Sequence, residues 1–409
     1  MKNYTHKTTC RICEGTDLVK ILDLGSTPLA NAYLKREDLG KPEELFPLVL
    51  YFCRTCSLAQ LLDVVDPELL FKDYHFLTTA SSPSVAHFEK YAQEVILPLI
   101  TSPEDLVIDI GGNDGVLLSF VKDHAHVLNV DPAENLAPIS EDKGVPFYPA
   151  FFTSQTADDI LAKYGVAKVV VANNVFAHTD PLRDVFRGVA KLIGESGIFV
   201  FEVHWAKNLL DQKCFDQMYH EHLCFHGLHA LKHLTESAGM KIYDVEIMPM
   251  QGQSLRVYAS AQRPPGPRVA EILQEEREAG LTDEATYHAF AKSVRANKEK
   301  VLALLKDLKA QGKKIVGYGA PAKGNTLLNY YGLGTGVLDY LTDTTSLKQG
   351  LYSPGMHIPI VHPDRLLTDT PDYILLLAWN FKDTILAKEQ ALRDRGVKFI
   401  LVVGEVEVI

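Results

Sequence analysis

The apolar run Leu106-Val107-Ile108-Asp109-Ile110 passes straight into Gly111-Gly112-Asn113-Asp114-Gly115, and a helix-forming stretch opens at Val116. A strand, a glycine turn and a helix in that order constrain the fold more than any other feature, because they are the first half of a βαβ unit. Three more runs follow: Val127-Leu128-Asn129-Val130, Lys168-Val169-Val170-Val171 and Ile198-Phe199-Val200-Phe201. Each is short, β-branched or aromatic and almost continuously apolar, as strands buried on both faces of a parallel sheet are. With helical stretches between them, residues 71–262 read as an α/β, Rossmann-like domain.

The glycine turn carries chemistry as well as shape. Small residues there let a ligand approach the backbone, and the following helix presents its N-terminus. Asp131 ends the next strand, where a carboxylate can hold two ribose hydroxyls. An acid in that place serves both NAD and S-adenosylmethionine. The dinucleotide pattern G-x-G-x-x-G is absent, since position 113 is Asn. Asp109 suits the cationic methionyl end of S-adenosylmethionine better than a pyrophosphate, so the methyl donor is the favoured reading and NAD the alternative.

On either side lie two further segments. Residues 1–70 are short apolar stretches broken by Gly25, Pro28, Gly40, Pro42 and Pro47, and hold four of the six cysteines. Cys10-x2-Cys13 and Cys53-x2-Cys56 are matched knuckles with 39 residues between them. Four thiolates close a tetrahedral Zn²⁺ site with no open position, which is a structural rather than a catalytic arrangement. A redox CxxC is the weaker alternative, because there are two pairs and no thioredoxin-like surroundings. Cys214 and Cys224 lack such spacing and read as small apolar residues. Downstream, Arg263-Pro264-Pro265-Gly266-Pro267 cannot continue a helix or a central strand and punctuates the chain. A helical stretch from about Asp283 to Lys309 and the apolar runs beginning at Lys314, Tyr373 and Lys398 form a second, smaller α/β unit, residues 268–409.

Composition limits the partners. Asp and Glu outnumber Lys and Arg 52 to 41, for a formal charge of −11, which speaks against nucleic acid but leaves room for a small anion in a locally basic pocket. No apolar run approaches the ~18 residues needed to cross a bilayer, and the polar N-terminus has no signal-peptide core, so no membrane partner and a cytoplasmic location are expected. Oligomeric state is not readable, and a monomer is compatible with the sequence.

Two segments after strand ends hold titratable side chains. Asn173-Asn174-Val175-Phe176-Ala177-His178 follows the 168–171 run, at the edge where ligands bind in open α/β sheets. Phe215-Asp216-Gln217-Met218-Tyr219-His220-Glu221-His222 packs four polar groups in succession, which are costly to bury without purpose. His222, His226, His229 and His233 have helical spacing and read as one packing face rather than a metal site, since no carboxylate joins them at ligand spacing and H-E-x-x-H is absent.

Taken in order, the paired knuckles, Ile110-Gly111-x-Asn113-Asp114-Gly115, Asn173-Asn174-Val175-x-Ala177-His178, Tyr219-His220-Glu221-His222, Gly317-Tyr318-Gly319-Ala320-Pro321-Ala322-Lys323-Gly324-Asn325-Thr326, Pro354-Gly355-x-His357-Ile358-Pro359 and Leu377-Ala378-Trp379-Asn380 resemble the three-domain, zinc-containing sugar C-methyltransferases. That resemblance runs nearly the full length. It implies an N-terminal zinc-binding module, a central class I methyltransferase domain and a C-terminal Rossmann-like domain that helps hold a nucleotide-linked keto-deoxysugar. The implied reaction moves a methyl group from S-adenosylmethionine to C3 of a 4-keto-6-deoxysugar. The match implies His222 as the base, Tyr219 and Glu221 polarising the ketone and orienting the ring, and His178 and Tyr74 near the sugar. Asp109, Gly111, Asn113, Asp114, Asp131 and Asn173 would surround the methyl donor. Gly319, Lys323, Asn325 and Arg256 would contact the sugar nucleotide, with Lys323 near its diphosphate. The sequence departs from the family pattern at Phe76, where a second tyrosine is plausible, and at Gln253, where a glycine is usual. Methylation at C5, an NAD-dependent nucleotide-sugar oxidoreductase and a non-catalytic nucleotide-sugar binder are the competing functions.

Overall fold

The computed structural model describes residues 3–71, 77–249 and 253–409. The first segment forms β1 (Tyr4–His6), β2 (Leu18–Thr27), β3 (Phe46–Cys53), β4 (Ala59–Leu61) and β5 (Asp63–Val65). β2, β3 and β4 are antiparallel neighbours, and β1 pairs with β5. The central segment supplies β6 (Leu106–Ile110), β7 (His126–Asp131), β8 (Phe147–Pro149), β9 (Val169–Asn173) and β10 (Ile198–His204). After them come the two-residue β11 (Cys224–Phe225), β12 (Lys241–Met248) and β13 (Ser254–Ser260).

The central sheet runs β12-β13-β10-β9-β6-β7-β8, with β6 to β10 parallel and β13 antiparallel to both neighbours. This is the class I methyltransferase arrangement. Strand alternation explains the burial on both sides. Val107, Val169, Val171 and Val200 face the Ser82–Tyr91 helix and the turns after it, while Ile108, Val170, Phe199 and Phe201 face the opposite core. On that opposite side the Ser154–Tyr164 and Leu182–Ile193 helices pack against each other. The first is capped by the Thr153 side chain, and they end at Gly165 and Gly194. Strand order reverses between β6 and β9, which opens a crevice beyond their carboxyl ends.

Past the prolines, helices span Pro267–Glu278 and Glu284–Ala310, the second capped by the Asp283 side chain. The last lobe contains β14 (Ile315–Tyr318), β15 (Leu341–Thr342), β16 (Ile360–Val361), β17 (Tyr373–Leu376), β18 (Lys398–Leu401) and β19 (Glu407–Val408). Their order is β16-β15-β14-β17-β18-β19, parallel except for β19, so a second reversal lies between β14 and β17. Among the described residues no helix is long and apolar enough to cross a membrane.

The segments are laced together in ways that linear patterning does not show. β11, from the central segment, is the fourth strand of the N-terminal sheet, where Cys224 opposes Gln60. The Pro267–Glu278 helix packs back on β12, and its buried Glu276 accepts hydrogen bonds from Trp205 Nε1 at 2.6 Å, Leu228 N at 2.5 Å and His229 N at 3.0 Å. That carboxylate therefore caps the Leu228–Ser237 helix, whose preceding Gly227 is extended. Glu276→Ala would leave those buried donors unpaired and is expected to destabilise the protein by about 3 kcal/mol or more, read from urea unfolding. The same helix start corrects the histidine pattern. His222 and His226 precede the helix, so the four histidines do not share a helical face.

Candidate active site

The four knuckle cysteines converge. All four Sγ atoms lie within 4.8 Å of one another, with Cys10 and Cys56 3.5 Å apart and Cys13 and Cys53 3.4 Å apart. Each knuckle closes in the same way, through Glu14 at φ 60° and Ser57 at φ 63°, whose N–H groups donate to the Cys10 and Cys53 carbonyls. With Zn–S bonds of about 2.3 Å, tetrahedral corners lie about 3.8 Å apart, so the quartet fits Zn²⁺. Redox pairing within a knuckle is not what the geometry favours. Four ligands leave no open position, and zinc here holds structure.

At the first reversal, β6 delivers Gly111 at φ 68°. A Cβ there would stand 2.5 Å from Val175 Cγ2, so only glycine lets the turn after β9 approach the turn after β6. Asp131, at the end of β7, accepts from Asn113 N at 3.0 Å and Ala133 N at 2.9 Å, which fixes its carboxylate beside the glycine turn. Buried polar atoms at this edge without a partner among the described residues include Asp109 Oδ1, Asn173 Oδ1 and Nδ2, and Asn174 Oδ1. Burial, reinforced by Asp131, pushes the Asp109 carboxyl well above its ordinary range, and a cation beside it would reverse that. These unmet groups fit the amino-acid end of S-adenosylmethionine.

Asp114 makes contacts that the sequence did not show. It is fully buried and accepts from Thr79 N at 3.0 Å and Thr79 Oγ1 at 2.5 Å, while Asn113 Oδ1 accepts from Thr78 N. The pair clasps residues 78–79 over the turn, while Asp114 Oδ1, also buried, has no partner among the described residues.

Beyond the carboxyl ends of β9 and β10 the histidines gather. His222 Nδ1 lies 2.8 Å from the Gln217 carbonyl, which only accepts, so Nδ1 carries the proton and Nε2 is the basic nitrogen. Nε2 receives the Tyr219 hydroxyl at 2.8 Å. The His178 and His204 rings stand 5.0 and 5.9 Å from the His222 ring. Burial, then the neighbouring His178 and His204, hold His222 well below the usual histidine pKa, while burial alone leads in bringing His204 to about 4. His178 donates Nδ1–H to the Glu221 carbonyl at 2.7 Å. Glu221 accepts from Asn31 of the N-terminal module at 2.7 Å, and its burial raises its pKa. His220 turns away to Phe46 O at 3.1 Å and is a structural member of the run. His204 and Asn31 were absent from the sequence expectation, because nothing in their neighbourhoods along the chain marks them.

At the second reversal, Gly319 (φ 86°) and Lys323 follow β14, and Trp379 follows β17. A Cβ on Gly319 would lie 2.8 Å from Ala378 Cβ, so these turns interlock. Lys323 Nζ sits over the Trp379 ring at 5.1 Å, and its charge reaches His204, His222 and Asp216. Among the described residues no carboxylate comes within ion-pairing distance of it. The two crevices thus face each other across the histidines.

Two other expected substrate contacts make bonds within the protein. Asn325 is buried and donates to Ala30 O at 2.7 Å, joining the C-terminal lobe to the N-terminal module. Arg256 is buried in β13, paired with Glu202 at 2.7 Å and stacked 4.1 Å over Tyr91. Tyr74 and the Gln251-Gly252 turn lie outside the described residues.

Residues 10–71 match a zinc binding domain family, residues 85–245 a methyltransferase domain family and residues 249–404 the C-methyltransferase C-terminal domain family. The C-methyltransferase NovU of Streptomyces niveus is 36% identical over 404 residues, covering 98% of this chain and 96% of that one. The chain belongs to the C-methyltransferase family. This C-methyltransferase uses S-adenosylmethionine, and the oxidoreductase alternative falls away. Among solved structures, a magnesium protoporphyrin IX methyltransferase from Synechocystis PCC 6803 covers 46% of this chain and 85% of its own at 16% identity and TM-score 0.33. A Clostridium acetobutylicum S-adenosylmethionine-dependent methyltransferase covers 44% and 92% at 12% identity and TM-score 0.35. For the C-methyltransferase, Asp131→Ala is expected to weaken S-adenosylhomocysteine by about 1–3 kcal/mol in calorimetry, with the acceptor substrate unaffected.

Proposed function

We propose that this C-methyltransferase methylates C3 of a nucleotide-linked 4-keto-6-deoxysugar. The observation that carries the reading is the Tyr219–His222 pair, a neutral base whose free lone pair is held on Nε2 and shared with a phenol. A saturated carbon beside a ketone becomes nucleophilic only by losing its proton. S-adenosylmethionine supplies, when bound, an electrophilic methyl group on sulfur. His222 Nε2 takes the C3 proton, and the Tyr219 hydroxyl, released from Nε2, donates to the C4 oxygen as it gains negative charge. With the donor bound, the enolate carbon would form the new C–C bond as the methyl C–S bond breaks, its electron pair leaving on sulfur as neutral S-adenosylhomocysteine, while the abstracted proton stays on His222 Nε2. The Gln217 carbonyl keeps the proton on Nδ1 throughout and so keeps Nε2 the reactive nitrogen. Glu221, fixed by Asn31, and His178 border the sugar. Lys323, which has no ion-pair partner among the described residues, offers its charge to the diphosphate from the facing lobe, which suits an anionic acceptor in a chain of net charge −11.

C5 also flanks a C4 ketone, so C5 methylation of a related sugar shares this chemistry. Incubation in D₂O with S-adenosylhomocysteine and a panel of 4-keto-6-deoxysugar nucleotides separates the two. Deuterium is expected at C3. Deuterium at C5 alone would transfer the reaction to that carbon, and none at either carbon with any sugar would remove the enolate reading.

A further inference from the structure

The short Phe215–Gln217 turn contains the carbonyl that fixes the His222 tautomer, yet its other two side chains are gripped from the C-terminal lobe. Phe215, fully buried, stacks on Tyr331 with ring centroids 5.4 Å apart and planes 26° apart, and meets Tyr330 edge-on at 5.4 Å. Asp216, also fully buried, accepts the Trp379 indole N–H on Oδ2 at 2.6 Å. Its Oδ1 has no partner among the described residues. Trp379 in turn carries Lys323 on its ring. A continuous series therefore runs from Lys323 through Trp379, Asp216 and the Gln217 carbonyl to His222 and Tyr219, crossing from one crevice to the other.

We propose that Asp216 is a positioning residue through which the C-terminal lobe sets the tautomer and aim of His222. A buried carboxylate with one oxygen unmet is a costly way to hold two lobes together, since a neutral or apolar contact would do that at lower cost. What the side chain adds is a short acceptor bond of fixed direction to one indole N–H. The bond holds the turn at the angle that points the Gln217 carbonyl at Nδ1. Burial raises the Asp216 pKa and Lys323 opposes the rise, leaving it at about 6, so occupation of the Lys323 crevice by an anion is felt at this carboxylate.

The inference rests on the reading of His222 as the base. Its test uses zinc-loaded, full-length protein with S-adenosylhomocysteine and three variants: Trp379→Phe, which keeps the ring and deletes the N–H, Asp216→Ala, and Asp216→Asn, which keeps an acceptor for Trp379. The first readout needs no sugar: the ¹⁵N shifts of the His222 imidazole across pH. A single Nδ1–H tautomer is expected in the unaltered protein, with a mixed tautomer or a pKa moved by about half a unit or more in Trp379→Phe and Asp216→Ala. The second readout is C3 deuterium exchange, expected to fall roughly tenfold in those two variants with S-adenosylhomocysteine affinity within about twofold, and to be largely recovered in Asp216→Asn. Unchanged imidazole shifts in Trp379→Phe would overturn the proposal whatever Asp216→Ala does to folding. Equal loss in Asp216→Asn and Asp216→Ala would also overturn it, because charge and not the directed bond would then matter. If the unaltered enzyme exchanges no keto-sugar proton, the substrate reading fails, and the imidazole spectra alone decide the positioning role.

Discussion

His222→Asn is expected to lower kcat for methyl transfer by about 10²–10⁴-fold, with S-adenosylhomocysteine and the acceptor still bound. The same variant should stop solvent deuterium from entering C3, whereas Asp131→Ala, impaired in donor binding, should still exchange. Survival of exchange in His222→Asn with its loss in His178→Asn would make His178 the base. The pH dependence has a definite sign. The competent form is neutral imidazole, and the folded pKa of His222 is depressed by burial and by His178 and His204. The base therefore remains neutral below pH 6.5, and the acid limb of kcat/KM should lie below the value for an ordinary histidine. A limb at or above pH 6.5 would point to a different group. Tyr219→Phe should separate the paired roles, keeping proton abstraction while slowing it, because the enolate oxygen loses its donor.

The Cys10→Ser, Cys53→Ser double variant is expected to lose its zinc in elemental analysis and to unfold the N-terminal module. Structural zinc contributes on the order of 10–16 kcal/mol, comparable to the whole stability of a domain. The damage should reach catalysis through contacts that leave the module. Asn31 orients Glu221, Tyr33 donates to Ala320 O at 2.5 Å, Ala30 accepts from Asn325, and Glu43 accepts from His357 at 2.6 Å and Gly355 N at 3.0 Å. Methyl transfer should fall with amide protection of residues 28–61, while the glycine turn and Asp131 keep S-adenosylhomocysteine affinity within a few-fold. Full zinc retention in the double variant would remove the assignment of these ligands.

Strands β6, β7, β9 and β10 were legible because each buries both faces and so shows an apolar run that needs no partner to be recognised. The cysteine quartet was legible for a related reason: its chemistry fixes residue type and spacing locally. Other features live in contacts between distant segments. β11 is two residues long and carries no period, so nothing marked Cys224 and Phe225 as part of the N-terminal sheet. His204 is a polar residue ending an apolar strand, and it joins the site only because β10 stops beside the turn after β9. Trp379 and Asp216 meet across a gap of 163 residues. Periodicity also misled. The spacing of His222, His226, His229 and His233 suits a helix, but Gly227 is extended and Glu276 caps the helix only from Leu228. Nor did the sequence show that Arg256 pairs with a buried Glu202 opposite it in the ladder.

The borrowed strand β11 has a consequence for biosynthesis. β4 opposes Cys224, about 160 residues further along, and at roughly 5–20 residues per second a ribosome delivers that partner only after some ten to thirty seconds. Until then the nascent N-terminal sheet shows an open edge at β4, an invitation to pair with another chain. Zinc capture can close the two knuckles as soon as Cys56 emerges, well before that edge is covered. The metal would then act as an early clamp, keeping a half-built sheet in register while the segment that completes it, and brings Tyr219 and His222 with it, is still being made.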